Sequence, residues 1–359
     1  MKNYLIIGLL FFICMARAFA QEDKNERKLK AAIDKEEQKF LKKKENNPDD
    51  PGIYWDHANK VAEFNSEYKR ALNFYQKAVD LDSVNGAIYR DYGKYLFDRM
   101  FALDEAQIIL TKGLHYSGND DEIKKYLVSV NTSIAKRDEE LKLRDIGKTD
   151  AAELNPDGNY ASMVNFDSLK MVITDAGNNK SYIKLLNRFL ENDKHLTPEE
   201  MYILIIGYSR DKYYNPFNYN DINTMKQLVA YSLDSAISKG LEIINTNPLN
   251  PSLNRELMYC YRKKNDPVSA ENYLIRVKQF YSGMLYSGNG TCERPYIILW
   301  SKEDNNFINY LGYKSTNTHS MGTCASQMAE IADMIDPVSG KTRKICFNLQ
   351  LIYQQTTGR

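Results

Sequence analysis

The sequence predicts a mainly α-helical fold: helical repeats first, then an α+β domain of helical hairpins with a small, mainly antiparallel C-terminal sheet. Three observations predict it. Large and small residues recur at a spacing of 34 in two places, Trp55 with Tyr89 and Ala236 with Ala270. A strong helix start, Thr197-Pro198-Glu199-Glu200, stands before the apolar run Met201 to Tyr208. From Arg294 onward the apolar period shortens toward the alternation of strands. With 359 residues and 43% hydrophobic content, the chain can build two or three domains with real cores. The near balance of 48 Lys and Arg against 47 Asp and Glu speaks against a nucleic-acid partner, which demands a basic surplus.

Residues 1–20 read as an address. Lys2 supplies a positive start, Leu5 to Cys14 is apolar, and Ala18-Phe19-Ala20 is a small-x-small cleavage site before Gln21. The apolar run is too short for a membrane span, which takes about 20 apolar residues. No later stretch is apolar enough, so no transmembrane span is expected in the mature chain. A lipid anchor on Cys14 would want a small residue where Ile13 stands. The mature chain is expected to start near Gln21, outside the cytoplasm. Removing Lys2 and Arg17 from the 48 basic residues leaves 46 against 47 acidic ones.

Export leaves Cys260, Cys292, Cys324 and Cys346, widely spaced and without a CxxC. A domain of this size stands without staples, so the plain reading is buried thiols. If a bridge exists, Cys292 with Cys324 is the pair to expect, because both lie in turn-like sequence. His319 is close to Cys324 in sequence, but nothing else suggests a nucleophile with its base.

Residues 21–50 form a charged lead-in with a thin apolar stripe, Leu29, Ile33 and Phe40, and read as a solvated helix. Repeats occupy 51–142. Trp55, Ala58, Asn59 and Ala62 are followed by Ala71, Tyr75 and Ala78. Tyr89, Tyr92, Gly93 and Leu96 begin the next unit, whose second helix carries Ala106, Leu110 and Gly113. Antiparallel helices cross closely only where one carries a small side chain. Ala71, Ala78, Gly93 and Ala106 are therefore packing positions, with Trp55, Tyr75, Tyr89 and Tyr92 filling the space between. This pattern resembles the tetratricopeptide repeat family, with Ser83 where a repeat-ending proline would stand. A further helix over about 120–142 (Ile123, Leu127, Val130, Ile134) caps the stack. The resemblance implies a short concave face for an extended peptide or partner protein, or else a platform for the rest of the chain.

Gly147, Asp150 and Asn155-Pro156-Asp157-Gly158 mark a linker over 143–165. The second domain runs 166–355, helices over 166–283 and a sheet over 293–352. A helix over about 166–175 opens it, and Tyr182, Leu185, Leu186 and Phe189 share one face of the next. Several segments then stand in order: Leu186-Asn187-Arg188-Phe189, Leu196 to Glu200, Gly207-Tyr208 and Tyr214 to Phe217. Tyr286 to Thr291 and Cys346-Phe347-Asn348-Leu349 follow. Together they resemble the domain-of-unknown-function family numbered 4919 over about 165–355. The family's Tyr-Tyr-Gly-Tyr is Ile205-Ile206-Gly207-Tyr208 here. The resemblance implies secretion in gut-type Gram-negative bacteria and brings no activity with it, so no catalytic residue is inherited. A repeat-type hairpin spans 225–283, where Ala236, Gly240 and Ile243 precede Ala270, Leu274 and Val277 by 34 residues. Beyond it, 303–311 reads as a short helix, and 294–300, 313–318, 326–334 and 343–352 read as strands.

The sharpest local feature is an aromatic cluster, Tyr208, Tyr213, Tyr214, Phe217 and Tyr219, around Asn215-Pro216. Flat rings with polar tips could stack on a sugar or hold a peptide, or pin a long loop to the core. Glu199-Glu200 and Glu303-Asp304 stand at helix starts, where anions complement the dipole. His195 reads as a surface-loop residue. HExxH, GxSxG and zinc-finger spacings are absent, so no catalytic residue, cofactor or metal is expected. Asp82-Ser83-Val84, Asp167-Ser168-Leu169 and Asp234-Ser235-Ala236 fit a short Asp-Ser-apolar O-glycosylation pattern. The sequence thus points to an exported, non-enzymatic interaction or scaffold protein of the bacterial envelope, with an envelope protein or peptide as partner. A glycan- or peptide-binding module built on the aromatic cluster, and a hydrolase with facing carboxylates in 165–359, are the alternatives.

Overall fold

The structure, a computed structural model, describes residues 27–64, 68–148, 173–175, 177–217 and 219–357. The expected leader therefore lies outside the described residues, as do most of the linker and all but the end of the helix expected over 166–175. The chain divides into two compact units, Met1–Glu140 and Leu141–Arg359.

In the first unit a helix over 27–46 (α1) precedes α2 (Pro51–Ala62), α3 (Tyr68–Leu81), α4 (Gly86–Asp98), α5 (Leu103–Ser117) and α6 (Asp121–Arg144), whose residues from Leu141 on belong to the second unit. Asp50 caps α2 by accepting from Gly52 N, with Pro51 at the first helical position, and Asn85 caps α4 through Ala87 N. α2 packs on α3 and α4 on α5 as hairpins. Ala58, Ala71, Ala78 and Ala106 are wholly buried at their crossings. At Gly93 a Cβ would lie 2.4 Å from Leu110 Cγ, so α4 and α5 can approach only because that side chain is absent. The Tyr75 and Tyr92 rings stack with centroids 5.2 Å apart. Trp55 packs half-buried against two apolar clusters that α2, α3 and α4 build together, and Tyr89 lies in one of them.

The lead-in differs from a simply solvated helix. Phe40 of α1 is buried, stacked on His57 at 4.2 Å and edge-on to Tyr54 and Phe74. The first hairpin of a repeat stack has one uncovered face. A single ring supplies about 1.5–3 kcal/mol of burial there, enough to seat an otherwise polar helix.

The second unit holds α7 (Tyr182–Leu190), α8 (Pro198–Tyr208), α9 (Asn220–Val229), α10 (Leu233–Ile244), α11 (Pro251–Lys263) and α12 (Pro267–Ser287). After these come β1 (Tyr296–Ile297), α13 (Asp304–Tyr310), β2 (Lys314–Cys324), β3 (Gln327–Ile335), β4 (Thr342–Asn348) and α14 (Gln350–Thr357). Thr197 and Glu200 form the capping box at α8, and every residue from Met201 to Tyr208 is buried. A helix apolar on all sides must be central. α12 lies along it with Gly283 at the contact, where a Cβ would sit 2.9 Å from the Met201 backbone. Ala236 and Ala270 are buried. Arg144 lies 3.8 Å over the Tyr259 ring and pairs with the buried Glu256.

The sheet order is β1-β4-β3-β2, with β1 parallel to β4 and the other pairs antiparallel. Two strand expectations are corrected. The run 294–300 pairs only at Tyr296–Ile297, because Ile298, Leu299 and Trp300 turn into the helical core. The last strand stops at Asn348, whose side chain accepts from Gln350 N and starts α14, so Leu351 and Ile352 are buried from a helix.

Two outcomes follow from this packing. Gly93→Ala should lower stability by about 1–3 kcal/mol, since the clash with Leu110 outweighs the gain in helix propensity of about 1 kcal/mol. Urea denaturation of the mature chain reads this, and an unchanged or raised midpoint refutes it. Burial also pushes the His57 imidazole below its ordinary 6.5, opposed by Glu37 at 3.5 Å. The fold favours the neutral ring, so this stabilisation is complete above about pH 6.5 and is lost as pH falls through the lowered value. His57→Phe keeps the stack on Phe40 and should flatten the fall of Tm from about pH 7 to about pH 5. An unchanged slope refutes the assignment.

Candidate functional site

The repeat unit carries a groove between α2 and α4 with α3 at its floor. Its volume is about 280 Å³, and Asn59, Glu63, Tyr75, Lys94, Asp98 and Arg99 line it with Ala62, Asp91 and Tyr95. The polar groups are held before any ligand arrives. Tyr75 Oη donates to Asn59 Oδ1 at 2.6 Å, and Trp55 Nε1 donates to Asp91 Oδ2 at 3.1 Å. Arg90 Nε donates to Asp91 Oδ1 at 3.0 Å, and Asn59 Nδ2 reaches Asp91 Oδ2 at 3.4 Å. Burial pushes the Tyr75 phenol up, with Asp91 adding to it, so this hydroxyl stays a donor at neutral pH. Lys94 bonds Glu122 at 2.8 Å on one side of the groove. Trp55 and Tyr75, read from sequence as space-fillers, thus also hold the polar side chains of this face.

The aromatic cluster at 208–219 is divided. Tyr208 and Tyr214 are core residues, not surface. Tyr208 Oη donates to Asn247 Oδ1 at 2.9 Å, Tyr214 Oη donates to Leu299 O at 2.6 Å, and both rings pack on Trp300. A buried hydroxyl needs a partner, and the core backbone and Asn247 supply one to each ring. Tyr219 is half-buried, 3.1 Å from Ser301 Oγ and under Lys302. Only Tyr213 and Phe217, 53% and 54% exposed, stand out with the exposed Asn215. The Asn215 side chain accepts from Phe217 N and shapes the loop.

Cys292 and Cys324 are joined by a disulfide, with Cα atoms 4.7 Å apart, while Cys260 and Cys346 are buried thiols. His195 is exposed, its backbone N–H donating to Asp193.

One constellation escaped sequence reading. Asp304 at the start of α13, His319 of β2 and Glu330 of β3 converge. His319 Nδ1 lies 2.9 Å from Asp304 Oδ2 and 2.9 Å from Glu330 Oε1. The register makes this meeting. His319 faces Ala332 and Met321 faces Glu330, so His319 and Glu330 are diagonal neighbours on one sheet face. An irregularity between Ser315 and His319 shifts the pairing; without it His319 would stand directly opposite Glu330. Glu303 and Asp304 do stand at a helix start, but the Asp304 carboxylate is only 2% exposed and faces His319 rather than solvent. Burial raises the Asp304 carboxyl. Burial and then the Asp304 charge raise that of Glu330, against the pull of His319. The three residues are 15 and 11 positions apart on separate elements, and no spacing motif announces them. The periodic signal in β2 is weak too, for most of its side chains are exposed or half-buried.

The model of a family described as a domain of unknown function, DUF4919, matches residues 167–352. No curated protein matches the chain. Among solved structures, the chain is 18% identical to YrrB, titled a TPR protein with an unusual peptide-binding site. The alignment covers 69% of this chain and 95% of that one, and its TM-score of 0.24 is too low to carry an argument. The family match spans more than half of the 359 residues, from just before the described helices of the second unit to the end of the sheet and into α14, and the chain belongs to the DUF4919 family.

Proposed function

We propose that this chain is an exported interaction protein of the bacterial envelope whose repeat groove takes an extended segment of a partner protein. The observation that carries the reading is the groove itself. An extended peptide brings one N–H and one C=O per residue, each needing a partner when it leaves water. Asn59 and Asp91 stand ready in one orientation, set by Tyr75, Trp55 and Arg90, so binding does not have to order them. Glu63, Lys94, Asp98 and Arg99 add both signs of charge for side-chain selection. In this reading the role is binding, with Asp91 fixed as an acceptor by Trp55, Asn59 and Arg90. The envelope location rests on the layout of residues 1–20 and is supported by the Cys292–Cys324 disulfide, a bond that persists in oxidising compartments.

A displayed library of linear peptides panned against the mature chain should yield binders with Kd of about 1–100 μM, in the range of small transient interfaces. Arg99→Glu and Asn59→Ala, confirmed folded by circular dichroism, should weaken those peptides at least about tenfold, while Tyr213→Ala leaves them unchanged. Peptides that ignore Arg99 and Asn59 but are lost with Tyr213→Ala and Phe217→Ala would move binding to the exposed aromatic pair and overturn the groove. For export, mass spectrometry of the protein recovered from the envelope fraction should find an N-terminus at Gln21. A chain that keeps Met1 and stays with the cytosol contradicts it.

A further inference from the structure

We propose that Asp304, His319 and Glu330 form a site for a divalent first-row cation, with Mn²⁺ and Zn²⁺ as the matching ions. The site offers one imidazole nitrogen and two carboxylate oxygens, and the three donor atoms all lie within 4.8 Å of one another.

The contacts are not those of a hydrogen-bonded histidine. Nδ1 can carry one hydrogen and so serve one carboxylate, yet two oxygens stand at the same 2.9 Å from it. It bonds neither: His319 Nδ1 and Asp304 Oδ2 are buried polar atoms without a hydrogen-bond partner. A buried acceptor left unmatched costs roughly 1–3 kcal/mol, and native interiors rarely keep one without a reason. One cation shared by the three donor atoms explains the closeness. Metal bonds of about 2.0–2.2 Å place neighbouring donors roughly 2.8–3.1 Å apart in an octahedron and roughly 3.3–3.6 Å apart in a tetrahedron, so the 2.9 Å of both edges fits octahedral Mn²⁺ as it stands and tetrahedral Zn²⁺ after a small opening of the cluster.

The charge agrees. Two ionised carboxylates, one of them buried, repel each other in a low-dielectric setting, and a dication between them cancels their charge. The donor set decides the class of ion. Carboxylate oxygens suit Mn²⁺, imidazole suits Zn²⁺, and a thiolate, which would favour a softer ion, is not among the three. The partly exposed side of His319 and Glu330 leaves coordination positions for water. The support is rigid on two sides, since Glu330 also faces Phe347 in the β3–β4 ladder and α13 is seated in the core by Phe307 and Ile308.

The test uses the mature chain with its disulfide intact, stripped with a chelator and dialysed. Mn²⁺ and Zn²⁺ are each titrated in by calorimetry, and unbound Mn²⁺ is counted by electron paramagnetic resonance. One equivalent should bind per chain, and the ion should raise Tm. His319→Ala and Glu330→Gln, which change side chains open to solvent on one side, should each weaken binding at least about tenfold and abolish the Tm rise. Cys346→Ala should leave binding unchanged; it is the control for Cys292, Cys324 and Cys346, whose sulfurs also cluster. A wild-type chain that takes up neither ion overturns the proposal. So does binding that survives His319→Ala, or Zn²⁺ uptake lost only with Cys346→Ala.

Discussion

At Gly283 the backbone of α12 runs so close to α8 that a Cβ would lie 2.8 Å from Ile205 Cδ1 and 2.9 Å from the Met201 backbone. The same constraint recurs at Gly207 beneath the Tyr182 ring, at Gly240 beneath Leu257 and Met225, and at Gly93 beneath Leu110. Each is a place where one helix gives up its side chain so that the neighbour's large one can fill the gap. Interiors pack near crystal density, so the helix separation, and with it everything set on those helices, depends on these few positions. α8 shows the consequence: with Met201 to Tyr208 buried on all sides, it can only sit where α7 and α12 both come close.

The groove in the first unit inherits its form from that packing. Ala58, Ala71 and Ala78 draw α2 and α3 together, which brings Tyr75 under Asn59 and lets its hydroxyl hold the amide. Trp55 and Asp91 meet 36 residues apart because equivalent turns of successive repeats stack. A pattern written for packing thus also orients the polar side chains that face the groove.

The second unit builds its acidic-histidine cluster in another way. Trp300, ringed by Tyr208, Tyr214 and Phe280 at centroid distances of 6.0, 5.9 and 5.8 Å, ends the segment that leads into α13. Phe307 and Ile308 then fix α13 against the core, leaving Asp304 no direction but toward β2. The same anchoring takes Tyr208 and Tyr214 away from the surface. Tyr213 and Phe217 stay outside because the loop turns on the Asp211 and Asn215 side chains, which accept from Tyr213 N and Phe217 N.

Most helices and their order were legible in the sequence by themselves, because caps and 3–4 apolar spacing are local: Thr197 with Glu200, Ala236 with Gly240. The repeat was legible because packing residues return after 34 positions. The short reach of β1 and the helical end after Asn348 were not, since Ile298 to Trp300 and Leu351-Ile352 are apolar in any element and only the surrounding core selects their conformation. Nor could sequence divide five neighbouring aromatic residues into buried and exposed ones, for that depends on Asn247 and Leu299 arriving from elsewhere in the chain. The meeting of Asp304, His319 and Glu330 belongs wholly to tertiary structure. The β2–β3 pairing puts His319 beside Glu330, its register irregularity makes the pair diagonal, and the seating of α13 brings Asp304 to them; no spacing motif along the chain encodes that convergence.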